Sequence, residues 1–417
     1  MAITVNQSDN VKHDFLPPLM DYLHRKDEST VDRRMPVAVT IVKLMQLLPE
    51  PELSQRLPAV LTDVAQVLRS RSQEARDQTR KTLAAILSLV GPQYLGFILK
   101  ELRSALERGY QLHVLSFTVH SLLVKATETC QSGDLNYCLP ELTSIIMDDI
   151  FGITGQEKDA EEYKSGMKEV KSSKSFDTME LLARVTPINR LGFLMQPVRS
   201  LLVEKLDSKN AKKVDDLLIR IRNGIDQNSA AGSRDLLSFC HEVVRQVYAE
   251  ENAPATKGVK LDYKIRKYLI QMESANKSKS KGATTSQLFK LSSFALNMVR
   301  KVIRKHEDLL TPGNMAGFLP MIGDAMVQGH EEVELAALRL LATIIKVPLA
   351  DLDKNAPVYV KEAVDLIKGA PSMTSDSAKA ALELITAVLR ERRSVIVKEA
   401  DIAHVLKALK PDIDEPD

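Results

Sequence analysis

Paired helical segments that recur about every 40 residues constrain this chain more than any other feature. One pair begins at Leu57 and the next at Tyr94, which is 37 residues later. Two further starts, Phe318 and Tyr359, lie 41 residues apart. Each unit consists of a helix, a short polar turn and a second helix, a pattern typical of HEAT and armadillo repeats. Such units bury a continuous core only by stacking on their neighbours. The sequence therefore predicts an all-α, HEAT/armadillo-like helical-repeat solenoid.

Apolar residues at helical spacing predict which face of each inner helix is buried. Small residues within such a stripe let neighbouring helices approach closely, while leucine and isoleucine fill the remaining volume. Three helices show the stripe most clearly: Thr79, Leu83, Ile86, Leu87 and Val90; Val333, Ala336, Ala337, Leu340, Leu341 and Ile344; and Ala378, Ala381, Leu382, Ile385 and Leu389. In the first of these helices, Arg76, Asp77, Arg80 and Lys81 are predicted to form the polar side.

Composition supports a helical, intracellular protein. Glycine and proline are sparse, with 17 and 18 among 417 residues, which favours long helices over a β-rich fold. Three cysteines, Cys130, Cys138 and Cys240, make no disulfide framework and fit a reducing compartment. The N-terminus lacks the apolar core of a signal peptide. Because no apolar run approaches the roughly 18 residues of a membrane span, we expect a soluble protein without membrane contact.

Changes in charge and pattern divide the chain into four parts. We predict an N-terminal helical array at 1–150, a charged insertion with further helical repeats at 151–256, a basic helix-loop-helix segment at 257–305 and a C-terminal helical array at 306–417. Within the second part, Gly152 to Asp177 mixes Glu and Lys densely. We expect a solvated helix or a partly mobile loop there, with a partner-binding surface as the alternative.

The basic segment 257–305 is the main candidate for function. It holds thirteen Lys and Arg residues against two acids, a local net charge of +11 in a chain whose total is +2. Residues 263–272 have the pattern of a short helix with Lys264 and Lys267 outside. Residues 274–286 are rich in Ser and Lys, lack apolar periodicity and are predicted to be a flexible linker.

Residues 287–305 are predicted to form an amphipathic helix. Its apolar arc comprises Leu288, Leu291, Ala295, Met298, Val299 and Val302. A second arc is cationic and comprises Lys290, Lys301, Arg304 and Lys305, with Phe294 among them. A cationic arc beside a Lys-rich loop suits a phosphate backbone, because Lys and Arg release condensed counterions on contact. The scarcity of aromatic residues argues against modules that stack bases.

This charge pattern defines the candidate RNA-binding residues: Lys257, Lys260, Lys264, Lys267, Lys277, Lys279, Lys281, Lys290, Arg300, Lys301, Arg304 and Lys305. A solvated face or a nuclear-import tag is the alternative interpretation of the same charges.

No pattern of catalytic, cofactor-binding or metal-ligating residues emerges from the sequence. His241 and Glu242 begin an H-E-x-x-R string, which lacks the second histidine of a zinc site. His113 and His120 are seven residues apart on one helix, too far for a pair one turn apart. Neither a phosphate-binding glycine loop nor a G-x-S-x-G elbow occurs. We therefore expect a protein that is not an enzyme, with no cofactor, no metal and no small-molecule substrate.

Four long strings resemble a known family. They are FGITGQEKDAEEYKSGMKEVKSSKSFDTMELLA, LMQPVRSLLVEKLDSKNAKKVDDLLIRIRNGIDQN, LDYKIRKYLIQ and LTPGNMAGFLPMIGDAMV. They are similar to the U3 small nucleolar RNA-associated protein 20 family, also called down-regulated in metastasis. The resembling stretches run from about Gly109 to Pro348, and none of the strings is generic to HEAT repeats.

The resemblance implies a function as well as a fold. Members of the family are very long HEAT-repeat scaffolds of the small-subunit processome, the nucleolar particle that processes precursor 18S ribosomal RNA. It implies that this chain is a segment of such a scaffold, from its middle or later part. The resemblance also implies a nucleolar location. The implied partners are pre-ribosomal RNA, the small nucleolar ribonucleoprotein and other processome proteins. A protein-only HEAT adaptor, of the transport-receptor or phosphatase-scaffold type, remains the alternative.

Overall fold

The computed structural model describes residues 9–160, 166–203, 206–251, 287–327, 329–392 and 397–414. Within these ranges all regular secondary structure is helical and no strand occurs, which confirms the predicted all-α class. By their contacts the described residues form two compact units. Unit 1 contains residues 9–160, 166–201 and 206–228, and unit 2 contains the others. The four-part division with borders at 150, 256 and 305 stays a prediction.

Unit 1 contains twelve α-helices in the described ranges, preceded by a short π-helix at Val11–Phe15, and 3₁₀ turns join several of them. They are α1 (Leu16–Leu23), α2 (Val31–Met45), α3 (Glu50–Val67), α4 (Gln73–Val90), α5 (Leu95–Ala105), α6 (Tyr110–Ala126), α7 (Leu139–Phe151), α8 (Ile153–Asp159), α9 (Lys168–Lys171), α10 (Lys174–Val185), α11 (Gly192–Leu202) and α12 (Ser208–Asp226). The helix expected from Leu57 begins earlier, at Glu50. Pro51 and two acids in the first turn favour that start, since proline is accommodated there and the acids face the positive end of the helix dipole.

The helices of unit 1 pack in two layers, as a repeat array requires. Helices α2, α4 and α6 pack on one another in succession, and α6 continues to α10 and α12. Helices α3 and α5 pack on each other in the second layer and also contact the first. The predicted apolar stripe of α4 is buried throughout. These contacts confirm the predicted helical-repeat solenoid.

A close approach of two helices depends on one glycine in this array. A Cβ atom at Gly224 in α12 would lie 2.2 Å from the carbonyl oxygen of Glu180 and 2.7 Å from the Cβ of Ala183, both in α10. Nearby, the Asn228 side-chain amide donates to the carbonyl oxygens of Ala183 at 3.0 Å and Thr186 at 2.9 Å. The amide thereby satisfies carbonyl groups left open at the end of α10.

Described residues of the charged stretch Gly152 to Asp177 are partly buried, contrary to the expectation of a solvated segment, and residues 161–165 of that stretch lie outside the described ranges. Glu169 is fully buried, and its carboxylate accepts two hydrogen bonds from Arg76, at 2.8 and 3.0 Å. Arg80 donates a third, at 3.0 Å. Arg76 and Arg80 were expected on the polar side of α4, yet they are 1% and 4% exposed. Their burial is possible because the bidentate carboxylate supplies the opposite charge and the hydrogen-bond acceptors that water would otherwise provide.

A second buried carboxylate joins the insertion to the repeats. Asp149 in α7 accepts hydrogen bonds from Lys158 at 2.8 Å, from the Ser116 hydroxyl at 2.9 Å and from the Ser175 hydroxyl at 2.7 Å. These groups come from α8, α6 and α10. The described parts of the insertion are therefore integral to the core of unit 1.

Unit 2 continues the same architecture. Its described helices are α13 (Arg234–Glu251), α14 (Phe289–Lys305), α15 (Pro312–Met315), α16 (Phe318–Val327), α17 (Glu331–Ile344), α18 (Ala350–Gly369), α19 (Asp376–Glu391) and α20 (Glu399–Asp414). Helices α13, α14, α17 and α19 pack in succession, while α16 and α18 flank this row and α20 packs on α18. All six residues of the predicted stripe on α17 are at most 1% exposed.

The predicted face of α19 is rotated relative to the observed one. Leu389 is 45% exposed and Leu382 is only half-buried, whereas Leu384 and Val388 are fully buried. Helix α19 packs against both α17 and α18, so its buried face is the one that lies between these two helices. Apolar residues occupy much of the circumference of α19, so periodicity alone does not identify the buried face.

Candidate nucleic-acid interface

Helix α14 carries the described part of the basic segment. The helix packs between α13 and α17, and its predicted apolar arc is buried at every position. Packing on two sides explains why the whole arc is removed from water. Because the helix is held on both sides, the positions of its cationic residues are fixed as well.

The first half of the predicted cationic arc faces the protein interior. Lys290 is 7% exposed, and its ammonium group lies 3.5 Å from a carboxylate oxygen of Glu332 in α17. The same ammonium lies 5.6 Å from the centroid of the Phe289 ring. Phe294 is also buried. The expectation that Lys290 and Phe294 share an exposed arc with the other cations is therefore wrong, because α17 covers this part of α14.

Arg300 is directed toward another helix of unit 2. Its guanidinium lies 2.9 Å from a carboxylate oxygen of Glu383 in α19, and the side chain is 20% exposed. An ion pair of this kind neutralises part of the positive charge that the sequence assigned to the surface. Arg300 is therefore partly engaged within the repeat array.

The last turn of α14 presents the remaining cations. Arg304 and Lys305 are exposed, and Lys301 is half-buried one turn before them. Cations are favourable at this end, since the carbonyl groups of a helix C-terminus carry partial negative charge. Two exposed acids, Glu307 and Asp308, follow after His306, so the local charge is smaller than the basic sequence suggests.

Seven of the candidate residues lie outside the described residues: Lys257, Lys260, Lys264, Lys267, Lys277, Lys279 and Lys281. The short helix predicted at 263–272 and the linker predicted at 274–286 lie outside them as well. Of the twelve candidates, the structure brings together Lys301, Arg304 and Lys305 near one helix end, while Lys290 and Arg300 point to neighbouring helices.

The histidines considered as metal ligands make other contacts. His113 is buried and lies 2.8 Å from a carboxylate oxygen of Glu157, and His120 lies 3.1 Å from the Thr178 hydroxyl. The His241 ring packs edge-on against Phe318, with centroids 5.5 Å apart. Across the described ranges, no three His, Cys, Asp or Glu residues are grouped as a metal site.

Helix length and apolar character bear on membrane insertion. No single described helix is both long and apolar enough to cross a membrane. A bent pair, Gln73–Val90 with Pro92–Ala105, meets the criteria of length and composition when its two helices are combined.

Two layers of stacked helix pairs define a helical-repeat protein of the HEAT type. The family model described as the U3 small nucleolar RNA-associated protein 20 domain matches residues 24–244. The chain belongs to this family. A Schizosaccharomyces pombe protein named U3 small nucleolar RNA-associated protein 20 is 39% identical over 97% of the chain. Its Saccharomyces cerevisiae namesake is 34% identical over 98%. The chain spans 16% of the length of each relative.

Solved structures with detectable likeness include a karyopherin and importin beta. The Kap121p karyopherin bound to the SUMO protease Ulp1p aligns with 100% of this chain and 46% of that one, at 12% identity and a TM-score of 0.37. Importin beta aligns with 99% of this chain and 51% of that one, at 13% identity and a TM-score of 0.31. Scores this low add no argument, so the fold assignment rests on the helices themselves.

Proposed function

We propose that this chain is a non-catalytic helical scaffold in ribosome biogenesis. It acts in the nucleolus as part of the small-subunit processome and supports the processing of 18S pre-ribosomal RNA. The match of residues 24–244 to the family model is the observation that carries this proposal. A two-layer repeat array suits the role, because stacked helices offer long surfaces on which RNA and proteins assemble.

RNA contact is proposed at the C-terminal end of α14, together with the part of the basic segment before the helix, residues 257–286. Lys301, Arg304 and Lys305 lie within about one turn of each other and can approach neighbouring phosphates. Lys290 and Arg300 remain in the candidate set, but their side chains are only 8% and 20% exposed. Because this burial restricts their approach to a phosphate, we expect a smaller decrease in affinity when either of these two residues is replaced.

Salt-dependent binding of a structured RNA by the full chain tests this contact. In the triple variant Lys301→Glu, Arg304→Glu, Lys305→Glu, the slope of log affinity against log salt is expected to fall by about 2 to 3, close to one for each phosphate that the variant no longer neutralises. The matched control is Lys354→Glu, Lys361→Glu, Lys368→Glu, which makes the same charge change at exposed positions of α18.

The comparison between the two triple variants decides the location of the RNA contact. An equal decrease in both would mean that total charge, and not the end of α14, governs binding. An absence of RNA binding by the unchanged protein would favour the protein-only adaptor and would leave membership of the family intact.

A further inference from the structure

Unit 1 holds an open cavity that the proposed RNA contact does not use. Its volume is about 460 Å³, and it lies at the ends of α5, α6 and α7. The floor is apolar and is made by Leu106, Leu112, Leu115 and Ile145. Ile153 stands at the rim with 67% of its surface exposed. A cavity of this size has room for a short stretch of a partner chain, with one bulky side chain placed on the apolar floor.

The charged groups around the cavity are mainly acidic. Its lining includes Glu107, Asp148 and Asp149 against one cation, Arg103. That cation is already engaged, since its guanidinium lies 3.4 Å from Asp148 and 3.7 Å from Glu141. Asp149 is neutralised by Lys158 from α8. The rim therefore presents excess negative charge next to an apolar floor.

This combination selects one class of partner. A phosphate group would meet the exposed carboxylate of Glu107, and Arg103 is already shared between Asp148 and Glu141, so the rim disfavours nucleic acid. A purely polar ligand would leave the leucine floor unfilled. We propose that the cavity binds an extended, basic protein segment that inserts one aliphatic or aromatic side chain between lysines or arginines. The inserted side chain contacts Leu112 and Ile153, and a flanking cation contacts Glu107.

Both parts of this partner contribute measurable affinity. Burial of a leucine-sized side chain is expected to strengthen binding by about 10- to 100-fold. A flanking cation beside an exposed carboxylate contributes less, about 2- to 5-fold at physiological salt. Removal of the side chain should therefore weaken binding more than removal of one charge.

A fluorescein-labelled peptide, GSKRLKRSG, is the probe, and its anisotropy with the full chain measures affinity. A peptide with serine in place of leucine should bind at least about 10-fold more weakly. Ile153→Ser should weaken binding of the leucine peptide by about 5- to 10-fold, whereas Val327→Ser, a change at an aliphatic residue that is 77% exposed in unit 2, should not. Glu107→Lys should weaken binding, and Glu128→Lys, at another exposed position after a helix end, should leave it unchanged.

Three results would overturn the proposal. The first is equal affinity for the leucine and serine peptides, which would mean that charge alone accounts for the binding. The second is no binding of the leucine peptide by a chain whose circular dichroism shows it folded. The third is direct binding of a fluorescein-labelled oligouridine that Ile153→Ser weakens and Glu107→Lys strengthens, which would assign the cavity to RNA. Because Glu107 is in an exposed loop, that variant keeps the test valid if Ile153→Ser fails to fold.

Discussion

Replacing Glu169 with alanine is expected to lower the free energy of unfolding of unit 1 by about 3 kcal/mol. Three charged hydrogen bonds end on this carboxylate, and each contributes about 1.5–3 kcal/mol. Removing one member of a buried ion pair typically costs about 3–5 kcal/mol, because the other charge stays buried without its partner. Arg76 keeps hydrogen bonds to the carbonyl oxygens of Ser70 and Arg71, so the lower end of that range applies.

The stabilisation should depend on pH with a definite sign. Burial alone would raise the pKa of Glu169, but the hydrogen bonds from Arg76 and the charges of Arg76 and Arg80 outweigh it and hold the pKa below its ordinary value. A lowered pKa in the folded state means that the contribution is complete above the pKa of the unfolded chain, about 4.3. It is lost as the pH falls through the folded value. Glu169→Gln should abolish this dependence while retaining the volume of the side chain.

Hydrogen exchange followed by mass spectrometry measures this effect within the full chain. Peptides covering Gln73–Val90 and residues 166–173 should exchange about 100-fold faster in Glu169→Ala, as expected from a destabilisation of about 3 kcal/mol. Glu128→Gln, which removes an exposed pair with Lys125, is the control and should change exchange by less than about 5-fold. Equal exchange in the Glu169 variant and the unchanged protein would refute the reasoning that the buried carboxylate holds the insertion on α4.

Two further predictions use the helix packing and the cysteines. Gly224→Ala should destabilise unit 1 by about 2 kcal/mol or more in thermal melting, because the new Cβ would overlap the Glu180 carbonyl. The control is Gly323→Ala in α16, where a Cβ meets no atom within 4 Å; this variant should be more stable by about 0.5–1 kcal/mol. Destabilisation in both variants would contradict this account. Burial raises the pKa of Cys130 to about 11 and that of Cys138 to about 12. A thiol reagent at mildly alkaline pH should therefore react slowly with Cys130 and reach Cys138 only after unfolding; equal rates for the two in the folded protein would contradict the burial.

The predicted cationic arc of α14 shows where sequence reasoning succeeded and failed. The apolar arc was correct because periodicity reports the face that a helix turns toward its neighbours. The cationic arc was only partly correct, since Lys290 shares the helical angle of Lys301 but lies where α17 covers α14. A helical wheel gives an angle and no height along the axis, so it could not separate the covered turn from the exposed one.

The sequence by itself determined the class of protein and its family. Repeated helix pairs and their stripes predicted the all-α array, and four strings predicted the family that the match over residues 24–244 confirms. These features are local, so they can be recognised without the folded chain.

Only the tertiary structure decided which charges are buried. Arg76 and Arg80 have the spacing of solvated residues, and the carboxylate that makes their burial favourable comes from Glu169, 93 residues beyond Arg76. The cavity beside Ile153 likewise depends on three helices that meet only in the folded repeats. Burial of a charge is determined by the partner that compensates it, and no local pattern records a partner so distant in the chain.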